Sequence, residues 1–249
     1  MNSLSNIKAI TKRELAGYFS SPVAYVFIVI FLLLMGFFTF MAGGFFERGQ
    51  ATLEGSFFMW HPWLYLFLVP AAGMRLWAEE RRVGTLELLL TMPITAWQAI
   101  VGKFLASWIF LFLALFLTFP VVVTVNYLGS PDNGVILAGY IGSFLMAGAY
   151  LAISCMTSAM TRNQVVSFIV SVVICLLLIL CGFAPVTKFV SSLLDKAWLV
   201  NLVASFSVMT HFESFSNGVL DSRDVIFFLS VIGFSLFTTG VILRSHRSG

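Results

Sequence analysis

Residues Glu79–Lys103 read EERRVGTLELLLTMPITAWQAIVGK, a long stretch in which charge, turn residues and apolar side chains are mixed, with apolar runs on both sides. From Glu79 to about Leu90 the pattern predicts a helix: Val83, Leu86, Leu89 and Leu90 share one face, and Glu79, Arg82 and Glu87 lie largely off it. Met92 and Pro93 stop that helix, because proline restricts the residue before it and cannot continue the hydrogen-bond ladder. Thr95 and Gln98 then form a capping-box pattern, with Ile94 and Ala99 placed as a hydrophobic staple, so a second helix starts at Ala96. The stretch is therefore a short amphipathic helix, a sharp turn and the entry into an apolar span.

The rest of the chain decides what that span crosses. It is 59% apolar and 10% charged with 27 Phe in 249 residues, and its mean hydropathy is +0.98. Such values exclude a soluble domain and specify a membrane protein. Six apolar runs, at 23–42, 57–77, 100–127, 135–160, 165–183 and 225–243, are each near or above the ~20 residues that cross ~30 Å of hydrocarbon. Because lipid offers no hydrogen bonds to the backbone, they are expected as helices, giving a single all-α membrane domain over 1–249. The first run follows a polar stretch and lacks a small-x-small cleavage site before a polar chain, so it is expected to be a retained span. Pro62 and Pro70 interrupt the second run.

Upstream, residues 1–21 predict an amphipathic interfacial helix, with Leu4, Ile7, Leu15 and Tyr18 toward one side and Lys8, Lys12 and Arg13 elsewhere. Ser21 and Pro22 mark the bend into the first span. With both termini inside, Lys8, Lys12, Arg13, Arg75, Arg81, Arg82, Lys103, Arg162, Arg244 and Arg247 are cytoplasmic and only Arg48, Lys188, Lys196 and Arg223 are outside. Ten basic residues against four is the positive-inside bias, so both termini and the 79–93 segment are expected in the cytoplasm of a bacterial-type inner membrane.

On the other side, Ser130 and Pro131 are expected to start a helix as cap and first residue. The 184–224 segment repeats large apolar residues at helical intervals, among them Phe189, Leu193, Leu194, Trp198, Leu199 and Leu202, and predicts short helices resting on the outer leaflet. It closes with HFESFSNGVLDSRD, 211–224. A metal or catalytic role for His211 and Glu213 lacks a third ligand, so these residues are expected to be structural: Asn217 and Gly218 end a short helix, Asp221 caps the last span and Asp224 sits in its first turn. The cysteines Cys155, Cys175 and Cys181 lie in or at the ends of apolar runs and are expected as small buried residues. Formal charge is nearly absent from the spans, which argues against an ion-coupled carrier, and the chain carries no GxxxxGK[ST] phosphate loop. Small residues in the fourth run, from Gly139 to Ser154, permit close helix contact.

Glu80, Arg82, Gly84, Thr85, Glu87, Leu89, Leu90, Pro93 and Ile94, in the form ExRxGTLExLLxxPI followed by Gly102 and Lys103, resemble the cytoplasmic coupling region of ABC-2 type transporter permeases. The likeness is in particular to the gliding-motility-associated and nitrous-oxide-reductase-maturation branch, and His211, Phe212, Gly218, Asp221 and Asp224 are similar to its HFxxFxxGVxDxRD segment. The resemblance implies a type V exporter-like fold, with surface or re-entrant helices before the last span. It implies a permease that moves substrate while two separate ATP-binding subunits hold ATP and Mg, with a second permease protomer, identical or different, completing the membrane unit. It implies no catalytic residue, metal or cofactor in this chain and no nucleic-acid partner; membrane lipid surrounds it. Glu80, Arg82, Val83, Gly84, Leu86, Glu87 and Leu90 are then the residues expected to couple to the ATPase, Val83, Leu86 and Leu90 forming an apolar stripe for a partner's groove, although a membrane surface could bury that stripe equally well. Gly84, read as lying inside this helix, weakens it by up to ~1 kcal/mol and so marks a close approach, either by the partner or by a neighbouring span. The alternative function is a membrane scaffold or assembly factor with no transport cycle.

Overall fold

A computed structural model describes residues 3–85, 94–183, 185, 186, 188 and 204–245. They form helices and turns with no strand among them. In chain order the helices are α1 (Ser3–Ser20), α2 (Pro22–Phe37), α3 (His61–Gly73), α4 (Ala78–Val83), α5 (Ala96–Phe116), α6 (Phe119–Leu128), α7 (Asn133–Met160), α8 (Gln164–Leu180), α9 (Val208–Ser216) and α10 (Ser222–Ser245). Four helical segments are long and apolar enough to cross a membrane: Pro22–Ala42, Ala96–Leu128, Asn133–Met160 and Ser222–Ser245. A shorter apolar helix is α8.

Helix α7 is the centre of the bundle. Of its 28 residues 18 are buried, against 4 of the 16 in α2. Its small residues leave room for aromatic rings from other helices: a Cβ on Gly139 would lie 2.5 Å from the Phe58 ring, one on Gly142 2.5 Å from Phe215, and one on Gly148 2.7 Å from the Trp108 indole. Trp108 stacks on Phe144 at 4.4 Å and its indole N–H donates to the Phe144 carbonyl at 3.0 Å. The most extensive helix contact among the described residues joins α7 to α10. Helix α8 presents a single buried stripe, Ser167, Ser171, Cys175 and Ile179, at intervals of one helical turn. Ser171 meets Thr157 of α7 at 2.5 Å, a polar contact that holds two apolar helices in register.

Several helix ends follow from local sequence. Ser21 caps α2 by accepting from the Val23 N–H, with Pro22 at the first position. Thr95 and Gln98 form both halves of the capping box that starts α5 at Ala96. The helix after residue 130 starts two residues later than Ser130 and Pro131 suggest: Asp132 is its cap, because its carboxylate accepts from the N–H groups of Gly134 at 2.8 Å and Val135 at 3.4 Å, leaving Ser130 and Pro131 in the loop. The expected 100–127 helix is broken at Leu117 and Thr118, because Pro120 cannot donate to the ladder and restarts the chain as α6. There Thr118 donates to the Leu115 carbonyl at 2.6 Å and takes a hydrogen bond from the Tyr140 hydroxyl at 2.8 Å.

Helix α1 uses its apolar side within the chain. Thr11 donates to the Gly102 carbonyl of α5 at 3.2 Å, and a Cβ on Gly102 would lie 2.7 Å from Ile10, so only glycine admits this crossing. Farther along, Tyr18 stacks on Phe110 at 4.9 Å and pairs with the Ser107 hydroxyl at 2.8 Å. Lys8, Lys12 and Arg13 remain exposed.

Candidate functional site

The two described ends of the 79–103 segment, in α4 and α5, are held by a buried cluster where α1, α4, α5 and α7 meet. Met74 to Trp77 turn the chain from α3 into α4, and Ser158 of α7 supplies the hydrogen bonds this turn lacks. Its hydroxyl accepts from the N–H groups of Trp77 and Ala78, each at 3.0 Å, and donates to the Met74 carbonyl at 2.8 Å. A helix start with no side-chain cap of its own is thereby satisfied from a distant helix. The fully buried Trp77 ring donates its N–H to Cys155 Sγ at 3.2 Å, and Arg81 donates to the Ala159 carbonyl.

Lys103 enters this cluster from α5, buried to 4% exposure. Its Nζ lies 2.8 Å from Glu80 Oε1 of α4, 3.2 Å from Glu14 Oε2 of α1 and 5.6 Å from the centre of the Trp77 ring. Burial alone would raise the Glu14 carboxyl; the Lys103 charge and hydrogen bonds from Arg13 and Lys103 outweigh it and hold the group below the ordinary carboxylate value. One cation thus ties three helices, its two carboxylates coming from α1 and α4.

The sequence reading missed this triad, although a signal was there. Glu14 is the one acidic residue in the first 46, and Lys103 the one basic residue between Arg82 and Arg162. Isolated opposite charges beside long apolar runs are candidates to pair with each other.

Beyond Glu80 the observed geometry corrects the expected helix. Helix α4 stops at Val83 because Gly84 is left-handed, at φ 80° and ψ 7°, and its N–H closes the helix on the Glu80 carbonyl. Gly84 is therefore a terminator and not an interior weakness, and a Cβ there would meet nothing within 4 Å. Val83 is exposed at 63%, and Arg82 makes only a loose, exposed pair with Glu79 at 3.7 Å. Leu86, Glu87 and Leu90, with the rest of 86–93, lie outside the described residues, as do the apolar residues 189–203 expected as surface helices.

A second polar contact forms where α9 meets α10. His211 Nδ1 lies 2.6 Å from Asp224 Oδ1, its Nε2 lies 3.0 Å from the Ser205 carbonyl, and its ring stacks on Phe227 at 4.0 Å. A carbonyl only accepts, so Nε2 donates to Ser205. Phe212 is buried, Asp221 accepts from the Arg223 N–H at 2.9 Å, and Gly218, at φ 82°, fits against Val135 where a Cβ would lie 2.7 Å away. The structure thus brings His211 and Asp224 together, a pairing that the reading of His211 as structural and of Asp224 as a first-turn residue did not contain. No group of three His, Cys, Asp or Glu that could hold a metal occurs among the described residues, and Glu213 is not joined to the pair.

A cavity of about 560 Å³ opens beside the triad, between α1, α2 and α3. Glu14, Arg75, Glu79, Glu80 and Lys103 stand at one end, and Val26, Phe27, Ile30, Leu68 and Ala72 line its depth.

A family model described as ABC-2 family transporter protein matches residues 9–186, over seven-tenths of the chain. The match runs from within α1 through α8, takes in the whole Lys103 cluster and stops before α9. No curated protein matches the chain.

Proposed function

Because this chain belongs to the ABC-2 family of transporter proteins, we propose that it is the permease subunit of an ATP-driven exporter, receiving motion from a separate ATP-binding subunit at α4. Permeases of this family generally pair with such a subunit. The observation that carries the reading is the buried Lys103 bridge. It links α4, whose tip leaves Val83 exposed, to α1 and to the long apolar α5. A push on the tip is then delivered to the membrane helix α5 through the Glu80–Lys103 ion pair and onward to α1 through Glu14, where an unbridged loop would absorb it.

In this reading six segments span the membrane: the four long helices, and α3 and α8 as shorter ones. At 1.5 Å per residue α3 alone covers about 20 Å and α8 about 25 Å, so both need their flanking turns to reach ~30 Å. The excess of basic residues in the segments next to α1, α4 and the end of α10 supports cytoplasmic termini in a bacterial inner membrane. Two ATP-binding subunits, holding ATP and Mg, and a second permease protomer complete the exporter. Arg82, Val83 and Gly84, with Leu86, Glu87 and Leu90 beyond them, form the surface that meets the ATPase, and Glu80 takes part in the coupling from behind it, as the residue that ties α4 to Lys103.

The test is copurification from gently solubilised membranes. An ATP-binding subunit should accompany the wild-type chain, and Val83→Asp, at a residue half open to solvent, should release it with the melting temperature unchanged. Recovery without any ATPase, under conditions that preserve other membrane complexes, overturns the reading in favour of a scaffold. Retention of full ATPase binding by Val83→Asp removes α4 as the contact.

A further inference from the structure

The slot between α1, α2 and α3 has one charged end, and that end lies at helix ends. Ser21 precedes α2 and Arg75 follows α3, whereas Ile30 is nine residues farther into α2, about 13 Å along its axis. The space therefore runs from the membrane boundary inward along apolar walls. Val26 and Ile30 line it and are themselves exposed, so one side is open at the level of the lipid chains.

The carboxylates at the charged end are already engaged. Glu14 takes Arg13 at 2.8 Å and Lys103 at 3.2 Å, and Glu80 gives Oε1 to Lys103 while its Oε2 is buried. Glu79 pairs loosely with Arg82 and keeps 46% of its side chain in solvent, where its charge is screened. Lys103 is saturated by its two carboxylates. Arg75 differs from all of these: it is exposed, and among the described residues it has neither an ion pair nor a hydrogen bond. Burial raises the Tyr18 hydroxyl on the α1 wall and the Arg75 charge works against that rise, so the guanidinium stands within electrostatic reach of the cavity's other side. The charge left to be met is thus one planar cation at the mouth of an apolar slot, a geometry that suits the paired oxygens of a phosphate.

We propose that this cavity holds one acyl chain of a membrane phospholipid, along Phe27, Ile30 and Leu68, with the lipid phosphate on Arg75 and no selection of the headgroup beyond it. The open side by Val26 and Ile30 lets the second chain stay in the leaflet, and the engaged carboxylates leave no group to choose between headgroups. The site needs α2 and α3 in a membrane and nothing of an ATP cycle, so its test stands apart from that of the exporter reading.

The experiment is a native mass titration of the delipidated chain, with whatever subunit copurifies, against dioleoyl phosphatidylcholine, phosphatidylethanolamine, phosphatidylglycerol and the phosphate-free dioleoylglycerol. The three phospholipids should fill one site per chain with affinities within about threefold of one another, and dioleoylglycerol should bind about tenfold more weakly, the loss expected for one charge-assisted contact. Arg75→Gln, at an exposed side chain, should bring the phospholipids down to the dioleoylglycerol level and leave dioleoylglycerol binding and the melting temperature unchanged. Ala72→Phe, which fills the slot, should weaken all four. Wild-type binding of dioleoylglycerol equal to that of the phospholipids, a preference of tenfold or more for one headgroup, or an undiminished phosphate preference in the Arg75→Gln chain overturns the proposal. So does the absence of a saturable lipid site in the wild-type chain, which would leave the slot to another protein surface.

Discussion

Lys103 Nζ and Glu80 Oε1 are 2.8 Å apart, and the lysine side chain is only 5% exposed, so the pair is an internal strut between α5 and α4 and not a surface ornament. Removing the cation strands two carboxylates at once. Lys103→Met should destabilise the chain by about 3 kcal/mol, the lower end of the range for breaking a buried pair, because Glu80 and Glu14 each keep about a fifth of their side chain in solvent. Thermal unfolding in detergent measures this. Glu80→Gln keeps the shape and part of the hydrogen bonding, and should lower the melting temperature less while cutting substrate-stimulated ATPase activity. Equal loss of stability in the two variants would show that the bridge holds the fold without transmitting motion.

Acid should loosen α1 before the rest of the bundle. The Glu14 carboxyl is held below its ordinary value, so the folded state binds fewer protons than the unfolded one and stability is gained as pH rises. Its contribution is complete above the ordinary carboxylate range and is lost as pH falls through the depressed value. The protection factors of the α1 amides, corrected for the intrinsic slowing of exchange in acid, should fall as pH drops below the ordinary carboxylate range, and Glu14→Gln should remove that fall.

Gly84 should tolerate residues according to their backbone freedom. An alanine at φ 80° costs about 1–2 kcal/mol in the left-handed region, and the open space around its Cβ adds no clash. Gly84→Leu should therefore fray the end of α4 and reduce coupled ATPase activity with little change in global melting, while Gly84→Asn stays close to wild type. Identical behaviour of Leu and Asn would place the effect in side-chain contacts instead.

Two glycines in long helices should respond in opposite directions. Gly142→Ala drives a Cβ to 2.5 Å from Phe215 and should destabilise by about 1–3 kcal/mol. Gly233 in α10 has nothing within 4 Å, so Gly233→Ala should raise helix stability by up to ~1 kcal/mol. Melting temperatures of the two variants, measured side by side, check both signs.

What could be read from the sequence was mostly local. Thr95 and Gln98 are three residues apart and act on the same turn, so their capping box was visible in the letters. At Asp132 the same logic pointed two residues too early, because Ser130 followed by Pro131 carries a stronger conventional start signal than a carboxylate just beyond it. Gly84 was assigned to a helix interior because Val83, Leu86 and Leu90 continue the apolar period through it. A period records which face a residue would occupy, not where a left-handed glycine ends the ladder. The triad and the His211–Asp224 pair join residues from separate helices, and no periodicity reports which helices cross. The family match supports the coarse architecture, while the surface that would meet an ATPase extends into residues 86–93.

The central place of α7 also has a consequence for how the protein is made. Its broadest neighbour, α10, is encoded last among the described helices, and 85 residues separate Met160 from Ser245. At ~5–20 residues per second, translation leaves α7 without that neighbour for roughly 4–17 s. During this interval the nascent chain holds the α10-facing side of α7 against lipid or the insertion machinery, so this part of the bundle closes only after Ser245 has been added.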